Sequence, residues 1–197
     1  VMLMAVNVAA YQGRGWQQRW AQTGGTIAEG RVLFTTPESD EMHCVGLFDG
    51  KPHWTLLRYD ESPSRGAPRD DLYLACVYRG KAIIVGRRDV HAVHIDKTYP
   101  ERKKVMVRER RGMGVQVVER DREFTRPEPA WGGQVVRLPE GSTPSGVGFR
   151  SGNLYYLPLS TAEVAVIDLD AGKLVRVVKS RSGFVPGNLI CHKGKVI

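Results

Sequence analysis

No run of about eighteen apolar residues occurs anywhere in the sequence, which excludes a membrane-spanning helix. The opening VMLMAVNVAA is apolar for only ten residues and has no basic leader before it, unlike a secretory signal. Cysteine is scarce: Cys44, Cys76 and Cys191 stand singly with no CxxC pair, so zinc-ribbon and thioredoxin-like chemistry have no support, and the apolar, strand-like surroundings of each suggest buried free thiols. There is no GxSxG elbow, because Ser145 in TPSGVG has the wrong flanks for a nucleophile. The glycines of RGMGVQ do not lead a strand into a helix, as a dinucleotide fingerprint must. Of the histidines, His43, His53, His91, His94 and His192, only His91 and His94 are close in sequence. On a strand that spacing points them to opposite faces, which disfavours a shared metal.

What is present is a soluble globular composition, 42% hydrophobic and 25% charged over 197 residues, with a formal charge of +8. The positive balance permits an anionic partner. Acidic residues are interspersed among the basic ones, so simple solubility is the favoured account of it.

The organising feature is a strand-rich stretch, GNLYYLPLSTAEVAVIDLDAGKLVRVV from Gly152 to Val178. It reads as short strands at Asn153 to Leu157, Glu163 to Leu169 and Leu174 to Val178, with Val147 to Arg150 before them and the hairpin turn Asp170-Ala171-Gly172-Lys173 inside. Val164 to Ile167 is apolar on both faces, as a sheet stacked between two others demands. Asp168 and Asp170, two apart beside a turn, read as turn-formers rather than a calcium site. The pattern is echoed upstream in Val32 to Thr36, Met42 to Phe48, the turn at Asp49-Gly50 and Trp54 to Arg58, and again in Leu72 to Tyr78, Ala82 to Val85 and Val90 to Ile95. In the second copy Asp96-Lys97-Thr98 takes the place of Asp49-Gly50-Lys51, and a fourth strand is expected at about Arg102 to Glu109. Glycines open the copies at Gly30, Gly80, Gly152 and Gly194. A period of about 40 to 50 residues with about four strands each is the mark of a propeller blade.

The expectation is therefore an all-β chain, a β-propeller fragment of about three to four four-stranded antiparallel blades forming a single partial domain over 1–197. The blade-like repeats run at about 20–60, 70–110 and 131–181, with the next starting at 183. Val6 and Val8 suit a strand ahead of the first repeat, and Trp16 and Trp20 suit packing between sheets. A start without Met and an end at Val196-Ile197 inside a strand pattern suggest a piece of a longer chain. The extra spacing before Gly152 holds KVMVRERRGMGVQVVERD, an extended hairpin insertion at about 105–128. Its Arg108, Arg110, Arg111, Arg120 and Arg122 are the candidate interaction surface, although interleaved acids favour a self-paired, solvated hairpin over a nucleic-acid patch. Phe124 is its sole aromatic, where base stacking normally uses several.

Two segments carry a family likeness. VAVIDLDAGKLVRVV, with Asp168, Gly172 and Lys173, and VGLFDGKPHW, with Asp49, Gly50, Lys51 and Trp54, resemble the hairpin of the quinoprotein-like (PQQ-binding-like) β-propeller repeats. The likeness covers about residues 20 to 197 and is weakest in the second copy, where Tyr99-Pro100-Glu101 replaces the Gly-Lys turn. It implies a ring of typically six to eight blades and an extracytoplasmic, for instance periplasmic, location. The quinone dehydrogenases of that superfamily hold their cofactor with a vicinal cysteine ring, a stacked Trp and a calcium site, and no adjacent cysteines occur here. The leading reading is a non-catalytic scaffold, with no catalytic, cofactor or metal residues assigned, whose partner is another protein or further blades. The alternatives are a quinone (PQQ)- and calcium-dependent oxidoreductase with its ligands outside this chain, and polyanion binding through the basic insert.

Overall fold

The computed structural model describes residues 25–35, 40–61, 65–66, 68–111, 114–192 and 195–196, with the side chains of 106–116 and of 192 onward left out. The expected strand at Val6 and Val8, the Trp16 and Trp20 pair and Gly194 lie outside the described residues. Among those described the chain is all-β, interrupted by one short 3-10 turn at Trp131–Gly133.

The first sheet is an antiparallel meander of β1 (Thr26–Ala28), β2 (Arg31–Thr35), β3 (Glu41–Gly46) and β4 (Pro52–Leu57) in chain order. The third repeats it with β11 (Phe149–Ser151), β12 (Leu154–Leu159), β13 (Glu163–Asp168) and β14 (Lys173–Lys179). Each has a turn at the expected place. Gly50 and Gly172 adopt φ of 63° and 62°, where a residue without Cβ is favoured. Asp168 Oδ1 accepts the backbone N–H groups of Asp170 and Ala171 at 2.8 and 3.1 Å, and Asp49 Oδ1 accepts that of Lys51 at 3.1 Å. These N–H bonds hold the Asp168 carboxyl below the usual range.

The middle sheet departs from the repeat. It contains β5 (Tyr59–Asp60), β6 (Arg69–Tyr78), β7 (Lys81–Gly86), β8 (Asp89–Arg111), β9 (Gly114–Pro129) and β10 (Val136–Arg137). The turn expected at Asp96-Lys97-Thr98 does not form, and Arg102 to Glu109 is not a returning fourth strand. Both are part of β8, which runs unbroken for 23 residues. The physical reason is that Lys97 stands where the other copies have glycine, and Asp96, instead of capping a turn, accepts from the Arg31 guanidinium at 3.2 Å. The outer position beside β8 is filled by β10 near its start, Val136 opposite Val90, and by the end of β9, Pro129 opposite Val93.

The three sheets stack face to face, and β7 shows how. Ala82 and Ile84 point into one core with Leu33, Met42, Cys44, Trp54 and Leu56 of the first sheet. Ile83 and Val85 point into the other, with Tyr155, Leu157, Leu159, Ala165 and Ile167 of the third. A strand buried on both faces loses the usual alternation and reads as a continuous apolar run. Burying one such aliphatic side chain is worth about 1.5–3 kcal/mol, so the two cores hold the sheets as one body. Trp54 bridges across, its indole N–H donating to the Ile95 carbonyl at 2.9 Å. Sequential four-stranded meanders packed face to face are the blades of a partial β-propeller. β15 (Cys191–His192) and β16 (Lys195–Val196) form a further short hairpin.

Candidate interaction site: a projecting arm and its buried root

Beyond Ile95, β8 leaves its neighbour β7, whose last pairing is Lys81 with His94. From there, among the described residues, β9 alone pairs with it, in continuous register from Thr98 opposite Pro127 to Arg111 opposite Gly114. The result is a two-stranded arm that grows out of the middle blade's third strand. Residues directly opposite share a face. One face carries Arg102 and Lys104 with Val117, Glu119, Asp121 and Glu123, all exposed. Its charges meet across the strands: Arg102 Nε lies 3.3 Å from Glu123 Oε2 and Lys104 Nζ 3.0 Å from Glu119 Oε2.

The other face turns toward the blades. There Tyr99, Glu101 and Arg126 are buried and Lys103, Val105, Val118 and Phe124 are half-buried. Arg126, 3% exposed, donates from Nε to Glu101 Oε2 at 2.9 Å. Its Nη1 reaches the Thr55 carbonyl and hydroxyl on β4 at 3.0 and 3.1 Å, and its guanidinium covers the Phe124 ring at 4.5 Å. Lys103 Nζ sits 2.9 Å from Asp60 Oδ2 and 3.8 Å from Glu101 Oε1. Asp60 also meets Arg69 at 3.4 Å, and Arg65 stacks on Tyr99 at 4.5 Å. Charges survive burial when each has a partner and hydrogen bonds. This root binds the arm to the first blade through β4 and to the second through β5 and β6.

Of the candidate arginines, Arg120 and Arg122 are exposed on β9, opposite Val105 and Lys103, and Arg122 lies 5.7 Å over Phe124. Arg108, Arg110 and Arg111 stand opposite Val117, Val115 and Gly114 near the tip, and their side chains lie outside the described set.

A second polar group lies at the interface of the first two blades. Asp71 is 1% exposed, and neither of its oxygens nor either His91 nitrogen makes a hydrogen bond among the described residues. His91 Nδ1 is 3.6 Å from Asp71 Oδ1 and 3.8 Å from Asp89 Oδ1. Gly86, opposite Asp71 on β7, leaves room: a Cβ there would lie 3.0 Å from Asp89 Oδ1. Burial pushes the Asp71 carboxyl up to about 6, against the pull of His91, Arg69 and Arg58. Beside His91 a cavity of about 20 Å³, lined also by Arg65, Arg69 and Gln134, has room for one water. Sequence reasoning misses both buried groups, since strand spacing sets His91 only against His94 and reads the arm's charges as a solvated hairpin or an interaction surface, not as a buried root. Across the other blade interface Asp170 accepts from the Tyr78 hydroxyl at 3.1 Å and pairs with Arg79 at 3.0 Å. Among the described residues no three His, Cys, Asp or Glu side chains cluster as a metal site.

No family model matches this chain, and no curated protein does. Among solved structures, BamB from Moraxella catarrhalis is similar at a TM-score of 0.45 and 14% identity. That match covers 84% of this chain and 41% of the other, so the chain spans about two-fifths of that structure's length. No helix among the described residues is long and apolar enough to cross a membrane.

Proposed function

We propose that this chain is part of a quinoprotein-like β-propeller scaffold that binds a protein partner through the β8–β9 arm and carries no cofactor chemistry of its own. The observation that supports it is the arm itself, β8 and β9 continuing past the blade in unbroken register from Thr98 opposite Pro127 to Arg111 opposite Gly114 and fixed at the root by the buried Arg126–Glu101 pair. A pre-organised arm loses little freedom on binding, which favours affinity. On its described outer face the cations are matched by β9 carboxylates, a pattern that suits a protein surface of mixed charge better than a polyanion. An extracytoplasmic location goes with this reading as an expectation of the repeat resemblance. The test is photo-crosslinking in cells from a benzoylphenylalanine at Val117, 54% exposed on the arm, with Glu140, exposed on a loop before the third blade, as the control position. The reading expects one discrete adduct from Val117 and none from Glu140. Equal, diffuse labelling from both positions, or a stoichiometric quinone chromophore with calcium in the purified protein, would sink it.

A further inference from the structure

The outermost strands of the three blades are treated differently. β4 is engaged by β9, with Arg126 holding its Thr55 carbonyl. The outer position beside β8 is occupied by β10 and β9. Among the described residues β14 pairs with β13 alone, and no backbone hydrogen bond leaves its other edge. A seven-residue strand with an open edge is a template on which another strand can form.

Its side chains narrow the choice of occupant. Val175, Val177 and Val178 are 55, 36 and 44% exposed, β-branched residues of the kind that pack well across paired strands. Lys173, Arg176 and Lys179 are exposed and make no side-chain ion pair or hydrogen bond among the described residues. From Ala171 to Ile197 the sequence contains no Asp or Glu, while it adds Arg181, Lys193 and Lys195. On the arm, by contrast, Arg102 and Lys104 are met by carboxylates of the neighbouring strand. A second copy of β14 is a poor occupant, because pairing two such strands sets cation against cation. The missing counter-charges belong on something else.

We propose that the free edge of β14 docks an extended segment of a partner protein in which acidic and apolar residues alternate, adding to the third blade as a fifth strand. Main-chain hydrogen bonds supply the affinity, the exposed valines the apolar contacts, and Lys173 and Arg176, which share a face by their register with Asp168 and Val166, the selection for acid. This site lies on the third blade and does not depend on the arm.

The test uses the full chain and labelled peptides of alternating Glu and Val, the same peptide with Lys for Glu, and a Glu-Val version interrupted by proline. The Glu-Val peptide is expected to bind at least about tenfold more tightly than either control, to weaken as salt rises, and to slow amide exchange on β14. The double variant Lys173→Glu/Arg176→Glu, at exposed positions on one face of β14 and checked for an unchanged melting temperature, should reverse the preference toward the Lys-Val peptide. Four results would overturn the proposal: equal binding of all three peptides, an unchanged preference in the variant, protection mapping to the arm instead of β14, or self-association of the chain that protects β14 without peptide.

Discussion

Replacing Asp71 by Asn should make the protein more stable at neutral pH and leave it nearly unchanged in acid. The Asp71 carboxyl is fully enclosed, and burial raises its pKa from 3.8 to about 6 even with His91, Arg69 and Arg58 facing it, while Asp89 adds to the rise. A carboxyl whose pKa is higher in the folded chain binds its proton more tightly there. Its contribution is therefore fully favourable below about pH 4, fades as pH rises through 6, and is lost above. About two pKa units at about 1.36 kcal/mol each put the burden of the charged form near 3 kcal/mol. An amide of the same shape carries no charge to desolvate, so Asp71→Asn should gain up to about 3 kcal/mol at pH 7.5. For a domain of this size that is roughly 6–12 °C in melting temperature. Calorimetric melting of both proteins from pH 4 to 8 at fixed ionic strength reads the effect of Asp71 with its coupling to His91, because titrations remote from that pair are common to the two. A variant that is less stable than the parent at pH 7.5 and level with it at pH 4 would refute the reasoning. It would mean that attraction to His91 and Arg69 outweighs desolvation.

Arg126→Ala should cost about 3–5 kcal/mol in urea denaturation, since it strands Glu101 as a buried, under-compensated charge, whereas Arg126→Met with Glu101→Gln should cost less than the single change. Gly172→Ala should destabilise by more than the about 1 kcal/mol of a left-handed alanine, because its Cβ would also fall 2.4 Å from the Trp131 ring; Gly152→Ala, with φ of 61° and open space, is the control, and thermal melting of both checks the order. One thiol, the exposed Cys191, should react promptly with a disulfide reagent in the native protein. Cys44 and Cys76, pushed up to about 11 by burial, should react only on unfolding, which timed thiol titration reads directly.

The first and third blades were legible because their information is local. Gly50 and Gly172 mark turns that need positive φ, Asp49 and Asp168 cap them, and the strands between are β-branched and aromatic. The middle blade was misread where one residue breaks that code: with Lys97 in the glycine position, β8 runs straight on and the fourth-strand place is taken from farther along the chain, by Pro129 and Val136. The burial of Arg126, Glu101, Asp60 and Asp71 could not be read from sequence. Strand alternation assigns a residue to one of two faces, and only the stacking of β4 against β9 decides that the face holding Glu101 and Arg126 is an interior one. Likewise His91 is an isolated histidine until β6, paired across β7 at Gly86, brings Asp71 to its side.

The measurement closest to the central claim is the affinity of the partner captured at Val117 for a chain whose arm is cut short, Lys103 being joined to Arg122 through an Asn-Gly turn at their existing register. The root, with Arg126, Glu101 and Lys103, stays intact. The account predicts that binding falls by at least about a hundredfold while the melting temperature stays within a few degrees of the parent. Undiminished binding by the shortened chain would contradict it.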